Sequence, residues 1–565
     1  MKHFLLSLIA LCCTLTCSAL TFQYGGFTYS YKAGQKTCLL YSVPSDYEGA
    51  LAVPREVEYK GMAYKVTGIG TKAFQGCSGV TQVELHDGIT AVDSYAFRNC
   101  TALTKVNIPG SVLSCKSYIF DGCSALTDVS LGEGIETLGA YMFRDCTALE
   151  HIDLPESITT IGKFAFYNCA KLTDVKLPFG LTGISEGMFS ICASLTEIYI
   201  PASVMSIGGY AFAACDNLRA IHVDPANADY ASLDGVVFSK DMTTLVLYPA
   251  GRPDETYSVP AGVTDLNPIS IQGSEKLKHL ILPEGLKNLR TQAITASFAL
   301  ESVALPASLE NYEPGAIYNC VELSTLTLAA GSQHYTRLDG VLFDKPMKTL
   351  LLSPALRPAT RCEVPDGVEH LAPQAFFMNI NLTDLKMPAS VTQIEEGVFD
   401  FCVNLQNVVL SPNITVLPEN AFYACKKMEH ISLPEGLTAI EDFAFLQSGL
   451  KELTIPAGVK SIGTFALGAE DLKQISSYAP EPPKASNDIF FGYTPELHVI
   501  KGLADAYRAA PGWSTLTIVD DLEGPASIGC IQADAAPMGV YDLLGRCAAG
   551  APKGLCIEGR RKVIR

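Results

Sequence analysis

Residues 161–178 read Ile161-Gly162-Lys163-Phe164-Ala165-Phe166-Tyr167-Asn168-Cys169-Ala170-Lys171-Leu172-Thr173-Asp174-Val175-Lys176-Leu177-Pro178. The phenylalanine followed three residues later by cysteine recurs every 23 residues: Phe74/Cys77, Phe97/Cys100, Phe120/Cys123, Phe143/Cys146, Phe166/Cys169, Phe189/Cys192 and Phe212/Cys215. A fixed period of this size describes supersecondary units that cannot bury their own apolar faces and must stack on their neighbours. The expected fold is therefore a solenoid with a linear core, in which each added coil places another set of Phe, Leu, Val and Ile between its neighbours. Length alone, 565 residues, would have suggested several domains.

Within one coil, Val106 and Ile108 alternate inward on a short strand with Leu103 packing just before it. Pro109-Gly110 ends the strand, since proline cannot donate into a sheet ladder, and Val112 turns back in. Tyr118-Ile119-Phe120 begins the return segment, read as a turn or short helix. Glycine after the isoleucine, as in Ile161-Gly162, suits positive φ or a close backbone approach. The same phase resumes after two interruptions: Phe212 leads to Ile271, and Ile317 leads to Phe376, each after 59 residues, 36 more than one period. Both insertions carry a matching motif, Leu233-Asp234-Gly235-Val236-Val237-Phe238 and Leu338-Asp339-Gly340-Val341-Leu342-Phe343. A polar turn and a second apolar run follow, Leu245–Pro249 and Leu350–Pro354, which predicts a β-hairpin in each insertion. Coils resume at Phe376, Phe399, Phe422 and Phe445 and degenerate at Ala466-Leu467.

The pattern I-G-x-x-A-F-x-x-C-x-x-L-x-x-V-x-[IL]-P over about residues 66–475, together with the Asp-Gly-Val-x-Phe insertions, resembles the BspA-like class of leucine-rich repeat proteins. That resemblance implies an α/β-type repeat solenoid, a leucine-rich repeat array of short parallel strands with β-hairpin insertions and β caps. The expected organisation is a signal peptide at 1–19, an N-terminal β cap at 20–65, the solenoid at 66–475 with insertions near 224–259 and 329–364, a C-terminal cap at 476–520 around Trp513, and a tail at 521–565. The basic start Met1-Lys2-His3, the apolar run Phe4–Cys13 and the small residues before Leu20 read as an export signal too short to span a bilayer. Lipid attachment at Cys17 is the competing reading, although Thr16 stands where a small residue usually precedes such a cysteine. The tail, with Gly539–Arg546 and Arg560-Arg561-Lys562, resembles secretion and sorting tails of exported proteins from Gram-negative anaerobes; sorting signal and plain β tail are both open. Location is expected to be secreted or at the cell surface, with no transmembrane segment in the mature chain.

The formal charge is −18, from 41 Lys and Arg against 59 Asp and Glu. An acidic surface repels phosphates, so nucleic acid is not an expected partner. Of the 19 cysteines, those in register with the phenylalanines point into one core layer. They are expected to be reduced, small hydrophobes, because Ser297 and Ser448 fill the same slot. Cys38, Cys115, Cys362, Cys530, Cys547 and Cys556 lie off that register, and sequence does not settle their pairing. No metal-ligand spacing, phosphate loop, dinucleotide fingerprint or nucleophile elbow occurs, and the histidines are scattered. No catalytic, cofactor or metal residues are assigned, and an enzyme is not expected.

Outward strand positions remain as the candidate binding face: Lys105 and Asn107, Asp128 with Ser130, His151 and Asp153, Asp174 and Lys176, Glu197 and Tyr199, then His222. They form two rows along the sheet, one residue of each row per coil. Tyr199 with His222 is the one local cluster resembling an anchor. The resemblance implies an adhesin or protein-interaction module whose partner is a protein ligand, such as host extracellular matrix. The alternative is a glycan- or peptide-capturing scaffold of a nutrient-uptake or envelope complex.

Overall fold

The computed structural model describes residues 19–486 and 488–524, and three tail strands, Val540–Tyr541, Leu555–Glu558 and Arg561–Ile564. The export signal, Cys17, Cys530 and Cys547 lie outside the described residues, as does most of the tail. Each coil repeats three ladders. A front strand such as Lys105–Ile108 pairs in parallel with Asp128–Leu131 of the next coil, Lys105 opposite Asp128. A two-residue side strand such as Thr137–Leu138 pairs with Thr160–Ile161. The return segment then stacks on its successor through backbone bonds.

The array is almost entirely β, which corrects the α/β expectation. Among the described residues the helix is Ala504–Ala509, beyond the coils. The return segment carries two left-handed residues four apart in each coil, including Tyr118 and Gly122, Tyr141 and Asp145, and Phe164 and Asn168, with φ between 55° and 75°. Left-handed residues break an α-helix. Alternate amides instead bond forward to the next coil, as in Phe120 N–H to Met142 O (2.8 Å) and Phe166 N–H to Met188 O (2.9 Å), while those between close turns within the coil. Gly162 has no positive φ. A Cβ there would lie 2.4 Å from the Ala140 nitrogen, so close approach explains it, and the positive φ falls on Phe164.

Seven phenylalanine rings, from Phe74 to Phe212, stack with centroids 4.6–5.6 Å apart and run through the core. Beside them the thiols donate across coils: Cys100 Sγ lies 3.0 Å from Phe74 O, Cys192 Sγ 3.2 Å from Phe166 O and Cys215 Sγ 3.0 Å from Phe189 O. The ladder cysteines are free and buried, and so are Cys38, Cys115 and Cys362. Burial pushes Cys115 and Cys215 up to about 12, so they stay protonated and inert.

In each insertion the Asp-Gly pair is itself a turn, where the sequence reading ran a single strand. Strand Tyr230–Leu233 folds back on Val236–Ser239 through Asp234 (φ 50°) and Gly235 (φ 79°), the left-handed pair that a two-residue hairpin requires. Thr244–Leu247 then pairs antiparallel with Val236–Ser239 and parallel with Asp265–Leu266, returning the chain to the array. The second insertion repeats this with Tyr335–Leu338, Val341–Asp344 and Thr349–Leu352. The hairpin strands divide the core. Val237 belongs to the hydrophobic cluster that precedes it, whereas Val236 and Phe238 belong to the next; Leu342 and its neighbours Val341 and Phe343 divide likewise. At the far end Trp513 is fully buried, its indole N–H donating to Pro483 O (3.0 Å).

Candidate binding face

The strand face is a mosaic in which charges answer one another between coils. Lys105 pairs with Asp128 at 2.6 Å, both about half exposed, and Lys176 pairs with Glu156 at 2.8 Å. Such exposed pairs contribute about 0–1 kcal/mol. Asn107 is only partly exposed: its amide donates to Leu85 O (2.6 Å) and accepts from Leu85 N–H (2.8 Å). It stitches two coils and is not free for a ligand. Asp153, Ser130 and His151 are exposed.

Glu197, Tyr199 and His222 come together. Tyr199 and His222 are direct partners in the parallel register, and His222 Nε2 lies 3.4 Å from Glu197 Oε2. The Tyr199 hydroxyl donates to Asp224 Oδ2 at 2.8 Å, which raises its own pKa above the ordinary phenol value. Asp224 in turn is held below the usual carboxylate range by the Ala226 amide and then by Tyr199. The ring itself stays 46% exposed. One coil earlier Phe179 is 63% exposed and the Lys176 ammonium sits 4.9 Å from its ring centroid. Phe179 follows the strand-ending Pro178, so strand alternation did not flag it. Tyr199 and, one coil earlier, Phe179 with Lys176 over its ring are exposed aromatics on a face that also exposes Ile281 and Val409 in later coils.

A different row went unread, at the position after each core phenylalanine. Arg98, Asp121 and Arg144 occupy it in three successive coils. Asp121 is 1% exposed and receives Arg98 Nε (2.8 Å), Arg144 Nε (2.7 Å) and Arg144 Nη2 (3.0 Å). Beside it Tyr95, Tyr118, Tyr141 and Phe164 stack at 4.6–5.2 Å, so their faces are taken by each other. The 23-residue spacing of these aromatics and charges was the available signal. Asp400 occupies the same row between Phe377 and Tyr423, without an arginine on either side, and burial raises it from 3.8 to about 7.

Among the described residues no His, Cys, Asp and Glu side chains converge as a metal site, and no helix is long and apolar enough to cross a membrane. The chain is similar to several solved structures. A leucine-rich repeat protein from Bacteroides ovatus is 22% identical over 80% of this chain and 94% of its own, with a TM-score of 0.42. A leucine rich cell surface protein from Faecalibacterium prausnitzii is 22% identical, covering 81% and 94%, with a TM-score of 0.32. The pneumococcal vaccine antigen PcpA is 17% identical, covering 90% and 99%, with a TM-score of 0.40. No functionally curated protein matches. The family model of the BspA type leucine rich repeat region matches residues 57–158, 118–241, 255–343 and 357–473, most of the chain, and those are the stretches where the phenylalanine slot, the front strand and the left-handed return recur. The chain belongs to the BspA-type leucine-rich repeat family.

Proposed function

We propose that this protein is an exported interaction module that binds a protein ligand across its strand face, in the manner of an adhesin at the cell surface. The observation that carries this reading is the pair of exposed rings in successive coils, Tyr199 at 46% and Phe179 at 63%, on a face whose charges, Lys176 included, are largely paired between coils. Aromatic anchors within a polar rim are the pattern of protein recognition sites. A capture scaffold for extended glycans would call for a longer run of ring platforms along the strands, and here the rows offer Tyr199 alone.

The test is biosensor binding of the purified chain to a panel of extracellular-matrix proteins and glycans at two salt concentrations. Saturable binding to a protein, weakened about tenfold or more in Tyr199→Ala and Phe179→Ala, supports the reading. Binding that survives both substitutions rejects the patch, and silence from every protein in the panel rejects matrix as the ligand.

A further inference from the structure

The two insertions, 105 residues apart, provide an internal comparison that exposes a site in the first. Where the array resumes after the first insertion, a cleft of about 250 Å³ separates the return segment of one coil, Gly208–Ala213, from that of the next, Asn267–Gln272. The equivalent space after the second insertion measures about 20 Å³. Several lining side chains differ between the copies, and at two positions the second carries rings that fill the space. Position 213 is alanine and 272 is glutamine, whereas their counterparts are Tyr318 and Phe377, whose rings pack 4.7 Å apart and fill the space.

The backbone around the two spaces is otherwise matched. Tyr248 N–H bonds to Ser270 O at 2.7 Å, as Ser353 N–H bonds to Ala375 O at 2.7 Å. The fold therefore accommodates a filled junction, and the first copy is open because of its own residues.

We propose that this cleft binds one neutral hexopyranose ring, the end of a glycan. The lining includes no charged side chain. An ionic ligand would lose its hydration there without a counter-charge. Asn267 and Gln272 bring side-chain amides, which both donate and accept, and both are half-buried at the cleft. Tyr210 stands at the rim, 41% exposed, its hydroxyl reaching Gln292 Oε1 at 3.3 Å. It continues the row of Tyr95, Tyr118, Tyr141 and Phe164, but Gly187 interrupts that row, and Phe164 fills the space a Cβ at Gly187 would need, 2.1 Å away. Tyr210 is thus left out of the ring stack.

An apolar ring face beside amides and a phenol suits a ligand with a C–H face and hydroxyl edges. The volume lies below the roughly 300 Å³ at which drug-sized pockets begin, which fits a single ring. The cleft shares Gly208, Gly209 and Tyr210 with a shallower groove of about 430 Å³ that runs past Ser185 and Ser206 to Lys163, giving the rest of a glycan a path. The site lies among return segments, so it does not rest on the strand-face reading.

The experiment is saturation-transfer NMR and calorimetric titration of the whole chain with methyl glycosides of glucose, galactose, mannose and N-acetylglucosamine. Saturable millimolar binding of at least one is expected, weakened about tenfold or more in the double variant Ala213→Tyr with Gln272→Phe, which copies the closed junction. If that variant fails to fold, Tyr210→Ala at the exposed rim decides by the same criterion. Absence of transfer to all four sugars, unchanged binding in the folded double variant, or stronger binding of glucose 6-phosphate than of any neutral glycoside would overturn the proposal.

Discussion

Replacing Phe166 by alanine removes a ring from the middle of the core stack, fully buried and lying 5.4 Å from both Phe143 and Phe189 at interplanar angles of 8° and 3°. Truncating a core phenylalanine costs about 3–5 kcal/mol, of which the cavity term depends on how far the surroundings can collapse. Here the backbone on either side is held by forward hydrogen bonds from Phe143 to Ala165 and from Phe166 to Met188, so collapse is restricted and the upper half of that range, about 4–5 kcal/mol, is expected. Phe212 has one ring neighbour, Phe189 at 5.6 Å, and borders the cleft. Its truncation should cost about 3 kcal/mol, since each ring pair adds about 0.5–1.5 kcal/mol beyond area. Isoleucine already fills the slot at Ile271, Ile294 and Ile317, so Phe166→Ile should cost about 1–2 kcal/mol. A stacked array loses stability locally, and hydrogen-exchange mass spectrometry should show protection lost around residues 143–189 and kept around 376–445. Unchanged exchange at 143–189, or an order of costs other than Phe166→Ala, Phe212→Ala, Phe166→Ile, would refute the stacking argument.

Asp400→Asn should raise the thermal midpoint at pH 8 and leave it unchanged near pH 4. Burial lifts the folded pKa from 3.8 to about 7, so the folded chain binds the proton more tightly; the stability is fully present below the unfolded value and is lost as pH rises through the folded one, a loss on the order of 1–3 kcal/mol. An unaltered pH profile of unfolding in the variant would show that the carboxyl is not desolvated. Asp121→Ala strips the shared acceptor from two part-exposed arginines and should cost about 1–3 kcal/mol in denaturant titration; a change within error would mean that water replaces it freely. Under native conditions iodoacetamide should leave Cys123, Cys146, Cys169, Cys192 and Cys215 unlabelled and reach them only in denaturant, and rapid native labelling found by mass spectrometry would contradict their burial.

The solenoid was legible because stacking demands the same apolar residue at the same place in every coil, and Phe74 to Phe212 meets that demand without slippage. The return segment reads as a turn or short helix because Ala-Phe-x-x-Cys has helix-like spacing; the turn forms, and the left-handed positions that exclude the helix hold Tyr118, Tyr141 and Phe164, residues that give no sign of it in sequence. Strand alternation placed Lys105, Asp128, Glu197 and Tyr199 outward, as found, but parity says nothing of where a side chain turns next. Asn107 folds back onto Leu85. The row after the core phenylalanine escaped notice because its chemistry changes from coil to coil: Asp121 between arginines is a satisfied ion, and Asp400 between Phe377 and Tyr423 is not. The cleft depends on Ala213 and Gln272 meeting across 59 residues, a juxtaposition visible only once the insertion is folded.

Each insertion strand sends alternate side chains into two different cores, Val237 one way and Val236 with Phe238 the other. The strand acts as a bulkhead. Tension along the chain would then be met by three compartments rather than one continuous rod, each yielding at its own force while the next holds. Under such a load extension would come in a series of smaller steps rather than one rupture, and the two hairpins set where each one stops.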